Sequence, residues 1–478
     1  MPDGLIDLWR DLLSIDHIKF LLAAGWIAYL LGLGMMIVLQ KRHPAATISW
    51  LISLAALPYL GFLIYYFLGP QKIQRQRLRR VRARAALPPP PPGMEPDAET
   101  IELARLGQAS TGLPPNTATS VTLLVDGAAK YEQLLAAVDA ATAHIHLEYY
   151  IFLPDRTGQA LLDRLVERAR AGVKVRLLLD AVGSGKVSRR FLRPLLEAGG
   201  EVAWFHPMRL RWFWKRPWLN LRTHRKIVVI DGMVAFTGGI NITDEQDERL
   251  RADAYRDLHL RLEGEVVDTL QLVFIEDWVY ATGQPPPKLP RGGGGPGPVS
   301  AQVLVSGPDT SWEPIHRLHV GAIHAAQRRV WLMTPYFVPG EAAMMALTSA
   351  ALGGLDVRLL VPKLSDSRLV TYAARSYFDA LLAAGVRIYE YGPRMLHSKA
   401  LLCDDDLAIL GSANFDHRSF RLNFEISVLF RDRDLVASLA ELVEAECGSC
   451  QLVRNDRHRP LWRSRLPEAL ARVVSPLL

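Results

Sequence analysis

One eighteen-residue pattern occurs twice in this chain, and it limits the fold more than any other feature. The first copy is "HRKIVVIDGMVAFTGGIN", His224 to Asn241. The second is "HSKALLCDDDLAILGSAN", His397 to Asn414. Residues i and i+2 of a strand share a face, so each His-x-Lys presents both side chains to one side. In the second copy Asp404-Asp405-Asp406 reads as a turn. Folding there sets His397 near Ala413 and Lys399 opposite Gly411. In the first copy Asp231-Gly232 reads as a two-residue hairpin turn. That register sets His224 opposite Gly239 and Lys226 opposite Thr237. Each hairpin then gathers an imidazole, an ammonium and a carboxamide at one end.

Such an end suits a phosphate. Lysine brings positive charge, asparagine and serine bring neutral donors, and glycine allows close approach of the backbone. Histidine can act as nucleophile or proton carrier near neutral pH. A lone His-x-Lys is more often an ordinary strand pair, but two copies with matching Asp and Asn argue for chemistry. Asp257 and Glu425 follow their histidines at similar intervals on probable strands. Each could accept a hydrogen bond from an imidazole and fix its tautomer, and each could equally be a surface carboxylate.

The spacing His-x-Lys, four residues, Asp, six residues, Gly-Gly/Ser-x-Asn resembles that of the phospholipase D superfamily. Here it reads His224, Lys226, Asp231, Gly238, Gly239, Asn241, and then His397, Lys399, Asp404, Gly411, Ser412, Asn414. The resemblance implies that the motif residues are the catalytic set, with a mainly structural part for Asp231 and Asp404. Gly239, Asn241, Ser412 and Asn414 would hold the substrate phosphate.

The surrounding sequence repeats as well. "LEYYIF", "KVRLLLD" and "EVAWF" precede the first hairpin; "VWLMTPYF", "VRLLVP" and "VRIYEY" precede the second. Strands alternating with helical segments predict an α/β fold. The expectation is two phospholipase D-like α/β sandwich units about a pseudo-twofold axis, with both histidines at one cleft. The first unit is expected over 115–282 and the second over 300–478. Linkers are expected at 85–114, which holds "ALPPPPPGMEP", and at 283–299.

Two uncharged stretches, about 20–40 and 44–69, are each long enough to cross a bilayer. Only Lys41, Arg42 and His43 separate them, so residues 1–84 predict a transmembrane hairpin. Seven basic residues and no acid lie between Gln71 and Arg84. The positive-inside rule then puts the N-terminus and the catalytic region in the cytoplasm. The basic run would rest on anionic headgroups, contributing about 1 kcal/mol per residue. A basic, tryptophan-rich insertion before His224, "WFHPMRLRWFWKRPWLNLRT", fits a headgroup interface, packing on the other unit, or base stacking. The three cysteines, Cys403, Cys447 and Cys450, provide no disulfide framework, and the lone Cys-x-x-Cys lacks partners for zinc.

"HLEYYIFLPDRTG", "GPDTSWEPIH", "TPYFVPGEAAMMAL", "GSANFDHRSFRLNFEIS" and "RPLWRSRLPEALARVVSPLL" are similar to segments of bacterial cardiolipin synthases. So is the N-terminal "SWLISLAALPYLGFLIYYFLG". The resemblance implies a phosphatidyltransferase of the bacterial inner membrane. It would join two phosphatidylglycerol molecules, release glycerol and use neither metal nor cofactor. Phosphatidylglycerol and anionic lipids are the expected partners, and nucleic acid is not. Within the superfamily, a hydrolase on other phospholipids or a membrane-tethered nuclease uses the same residues.

Overall fold

The computed structural model describes residues 15–39, 47–48, 51–52, 80, 84–85, 101–206, 221–287, 294–310, 312–457 and 459–475. The chain has two compact units; helix α1 (Ile15–Leu39) lies in the first, and every element from residue 101 onward lies in the second. Helix α1 is 25 residues long, a rise of about 37 Å. Its stretch Leu22–Leu39 contains no charged residue. Phe20, Leu22, Ile27, Leu31 and Met35 are exposed. An apolar surface of that length has the dimensions of a membrane span. It is the one candidate span among the described residues. The polyproline stretch, the expected second span apart from residues 47–48 and 51–52, and most of the tryptophan-rich insertion lie outside them.

Among the described residues the second unit holds two large sheets and a two-stranded one. In chain order its first strands are β1 (Asn116–Ala118), β2 (Ser120–Val125), β3 (His144–Tyr149), β4 (Lys174–Asp180), β5 (Glu201–Phe205), β6 (Ile227–Ile230), β7 (Val234–Gly238) and β8 (Leu258–Glu263). There follow β9 (Val299–Ser306), β10 (Arg329–Met333), β11 (Phe337–Val338), β12 (Asp356–Pro362), β13 (Arg387–Tyr391), β14 (Ala400–Cys403), β15 (Leu407–Gly411), β16 (Phe415–Asp416), β17 (Glu425–Arg431) and β18 (Cys450–Leu452). The first sheet runs β2-β8-β7-β6-β3-β4-β5 and the second β1-β9-β17-β15-β14-β10-β12-β13-β18; the two-stranded one is β11–β16. Without its edge strands β1 and β18, the second order reproduces the first strand for strand. This is the internal repeat expected from the sequence, now visible as topology.

Helices fill the crossovers. The parallel pairs β3–β4 and β10–β12 cannot be joined by tight turns and need long connections. One core joins residues of both sheets, among them Leu260, Val303 and Val428, with Phe274 and Leu439 from the helices that follow β8 and β17. Two further cores lie one to each repeat. Each fully buried leucine or phenylalanine contributes about 1.5–3 kcal/mol, so the shared core locks the repeats together.

Three expectations need correction. Helix α2 (Ile101–Thr111) lies within the expected 85–114 linker, and its Leu103 joins the core of the second repeat. Strand β1, expected in the first unit, pairs antiparallel with β9 of the second sheet. The β6–β7 hairpin is shifted by one residue: Ile227, not Lys226, faces Thr237. Its loop has three residues, Asp231-Gly232-Met233, rather than two. Asp231 and Gly232 both adopt left-handed backbone, at φ 54° and 69°. The β14–β15 hairpin uses the same three-residue loop, with Asp404 at φ 54°.

Candidate active site

Each motif aspartate sits at the turn of its hairpin, about 20 Å of strand from the histidine. Asp231 accepts hydrogen bonds from the backbone N–H groups of Thr142, Ala143 and His144. Asp404 accepts from those of Gln327, Arg328 and Arg329. Burial opposes ionisation of Asp231, but those N–H groups hold its carboxyl below the usual range. Both residues fasten their hairpin to the start of a neighbouring strand. Neither lines the cavity that holds the histidines, so of the motif set these two act on the turn rather than at the site.

The opposite ends of the hairpins meet. Thr223 forms a parallel bridge with Phe424, and Leu396 forms one with Arg256. The His224 N–H donates to the Phe424 carbonyl at 2.8 Å, and the His397 N–H to the Arg256 carbonyl at 2.7 Å. Each bridge sets a histidine beside the carboxylate that follows its partner in the other repeat. His224 Nδ1 lies 2.9 Å from Glu425 Oε2, and His397 Nδ1 lies 2.5 Å from Asp257 Oδ2. The sequence intervals suggested pairing within each repeat; the structure exchanges the carboxylates across the pseudo-twofold. With Nδ1 occupied, Nε2 is the nitrogen left for chemistry.

Both lysines fold back on their histidines. Lys226 Nζ donates to the His224 carbonyl at 2.7 Å, and Lys399 Nζ to that of His397. Lys399 Nζ also lies 2.8 Å from His397 Nδ1 and 3.8 Å from Asp257. Burial shifts the whole cluster. It pushes His224 down to about 4, against the pull of Glu425. Burial, and then the Lys399 charge, lower His397. Burial takes Lys226 to about 7 and Lys399 to about 8. His224 is therefore neutral at physiological pH, and the lysines lie near their titration points.

Gly239 and Ser412 do not line the cavity that holds the histidines. A Cβ on Gly239 would lie 2.1 Å from Asp257 Oδ1. Ser412 is fully buried, and its hydroxyl donates to Glu425 Oε2 at 2.5 Å. Both positions back the carboxylates, which corrects their assignment to the phosphate. Asn241 and Asn414 do line the cavity with both histidines. Asn241 Oδ1 accepts from the Ile151 N–H at 3.2 Å, which leaves its amide N–H groups.

The cavity has a volume of about 400 Å³. It brings in residues that the motif did not reveal. Gln246 donates to Asp257 at 3.2 Å, and Asn423 donates to Glu425 at 3.2 Å. Gln246 Oε1 also accepts the Asn241 N–H at 2.6 Å, as Ser419 Oγ accepts the Asn414 N–H at 3.1 Å. Both lie five residues past the motif asparagine, so a repeat comparison carried that far would have found them. Tyr150 stands edge-on to His224, with ring centres 5.0 Å apart, and Tyr255 packs against His397 at 5.5 Å. Glu245, Tyr336, Asp366, Asp416 and Arg418 are also part of the wall.

Residues 134–277 and 320–446 match the family described as cardiolipin synthase, PLD-like domain. Residues 26–70 match the phospholipase D-nuclease N-terminal family. The cardiolipin synthase of Geobacillus kaustophilus (strain HTA426) is 40% identical over 468 residues, covering 93% of this chain and 91% of that protein. That of Geobacillus sp. (strain WCH70) is 40% identical over 508 residues and covers 98% of each. Cardiolipin synthase 2 of Bacillus anthracis is 39% identical over 467 residues, 93% of this chain and 89% of its own. Among solved structures, the phosphatidylserine synthase of Haemophilus influenzae Rd KW20 superposes with a TM-score of 0.60 at 14% identity, over 79% of this chain and 100% of its own. That last likeness is one of fold.

Proposed function

The chain belongs to the cardiolipin synthase family with PLD-like domains, and we propose a two-step phosphatidyl transfer for it. It is a phosphatidyltransferase that acts on phospholipid at the membrane, and the proposed substrate is phosphatidylglycerol in both roles. His224 Nε2 attacks phosphorus of the first molecule. An N–P bond forms as the P–O bond to glycerol breaks, and His397 gives its Nε2 proton to the departing oxygen. His397, now neutral, takes the proton of the terminal hydroxyl on a second phosphatidylglycerol. That oxygen bonds to phosphorus, the N–P bond breaks, and cardiolipin leaves. The phosphodiester anion beside His397 favours the imidazolium that the first step needs.

Lys226, Lys399, Asn241 and Asn414 stabilise the charge that develops at phosphorus. Asp257 and Glu425 hold the rings in the productive tautomer. The reading rests on one observation above all: both histidines line one cavity, each with Nδ1 bound by the other repeat's carboxylate. For the membrane part we propose the hairpin of α1 with a second span over about 44–69, supported by the family match over 26–70. The seven basic residues that follow support a cytoplasmic catalytic unit in the bacterial inner membrane.

Purified full-length chain with phosphatidylglycerol vesicles should yield cardiolipin and glycerol in equal amounts, and His224→Ala or His397→Ala should abolish both. Phosphatidic acid as the main product would make it a hydrolase instead. Cleavage of an oligonucleotide without lipid turnover would make it a nuclease. The split between the histidines has its own test, a phosphatidyl nitrophenyl ester, whose leaving group needs little acid help. The His397→Asn chain should release one burst of nitrophenol and keep the phosphatidyl group on the His224 peptide. Label on the His397 peptide of the His224→Asn chain, with none on His224, would exchange the roles.

A further inference from the structure

The two motifs are nearly symmetric, but the charges around them are not. On the His224 side, the buried Asp180 and Glu425 carboxylates and the opposing charges of Arg418 and Arg222 act on Tyr150, the ring that abuts His224. Of Asp180, Arg418 and Arg222, it is the cation Arg418 that lines the cavity. On the His397 side the cavity wall carries carboxylates. Asp366 and Glu245 line the cavity with Tyr255, the ring that packs on His397. Asp366 Oδ2 accepts from the Tyr336 hydroxyl at 2.7 Å, and its Oδ1 accepts from Ser365 Oγ at 2.8 Å. The loop after β4 in the first repeat has no carboxylate in Val182-Gly183-Ser184. Its Ser184 hydroxyl is engaged by the Tyr150 carbonyl and the Phe152 N–H.

A carboxylate repels a phosphodiester and would weaken binding of an anionic lipid wherever the phosphate came to rest. It is suited to hydroxyl groups, since an ionised carboxylate only accepts. The part of the substrate rich in hydroxyls and free of charge is the glycerol headgroup. We propose that Asp366, braced by Tyr336, binds the glycerol diol beside His397, so that the leaving and the incoming glycerol share one subsite. This rests on the phosphatidyl-transfer reading above and adds the residue that selects the acceptor alcohol. Arg418, on the other side, then faces the phosphate held at His224.

Competition between two acceptors tests the assignment without depending on total activity. Purified full-length chain receives phosphatidylglycerol vesicles with deuterated glycerol and 1-butanol together. The ratio of deuterated phosphatidylglycerol to phosphatidylbutanol is read by mass spectrometry. Loss of a charged hydrogen bond to a hydroxyl predicts a fall of about tenfold or more in this ratio for Asp366→Asn. Tyr336→Phe, which only loosens the brace, should fall about threefold, as one neutral hydrogen bond would. An unchanged ratio in Asp366→Asn overturns the proposal. Should Asp366→Asn make no product, an unchanged ratio in Tyr336→Phe does so instead. A wild-type chain that makes neither product would remove the phosphatidyl-transfer reading, and this inference with it.

Discussion

At the scale of single residues, the site works through burial. Burial lowers His224 to about 4, so the proposed nucleophile is neutral across the physiological range. The groups that must carry a proton limit activity from the alkaline side. His397 is lowered from its ordinary value, and Lys226 loses its charge near 7. With phosphatidylglycerol as donor, kcat/KM should fall as pH rises through the His397 titration. With a nitrophenyl donor that step needs no acid, so the limb should move up to about pH 7, where Lys226 discharges. Lys226→Arg, if it folds, should move that limb higher still, because arginine keeps its proton. Profiles measured with both donors decide this, and identical limbs would separate His397 from the proton transfer. The catalytic residue types were legible because spacing exposes them. Gln246 shows only when the repeats are compared beyond the motif, and Asn423 and Asp366 were not legible, since a lone amide or carboxylate on a loop gives no periodic signal.

At the scale of elements, the strands predicted around each hairpin form, and the topology repeats as expected. What the sequence could not convey was which carboxylate serves which histidine. The exchange depends on the parallel bridges Thr223–Phe424 and Leu396–Arg256, contacts made only after the two sheets pack. The one-residue shift in β6–β7 has a local cause. Asp-Gly suggests a tight two-residue turn, but the Asp231 carboxylate is held by three backbone N–H groups, and the loop takes in Met233 as well. Position 239 shows how the repeats diverged. Glycine stands there opposite an aspartate, whereas Ser412 stands opposite a glutamate. Gly239→Ser should displace Asp257, given the 2.1 Å approach, and lower kcat by about a hundredfold or more, comparable to loss of a positioned acid–base group. Adding Asp257→Glu recreates the Ser412–Glu425 combination and should recover part of the loss. A double variant no better than Gly239→Ser would mean that the two repeats do not position their carboxylates alike.

At the scale of the whole molecule, one residue of the basic run after the membrane segment, Arg80, has a structural place of its own. The run as a whole was expected on lipid headgroups, but Arg80 is buried in the catalytic unit. It pairs with Glu276 at 2.8 Å, Asp277 at 2.7 Å and Asp309 at 3.3 Å. Arg80→Ala would leave buried carboxylates short of a cation and should destabilise that unit by about 3 kcal/mol. A melt of the detergent-solubilised chain would show it, and an unshifted Tm would return Arg80 to the surface. With the proposed second span, the remaining basic residues still outnumber Lys41 and Arg42, so the charge bias of that hairpin keeps its sign. A cysteine placed at Pro90, in a chain stripped of its three natural cysteines, should therefore resist an impermeant thiol reagent in intact cells and react after permeabilisation. Labelling in intact cells at the rate of a known external site would invert the topology. The catalytic cavity would then face the periplasm, and its phosphatidylglycerol would have to come from the outer leaflet.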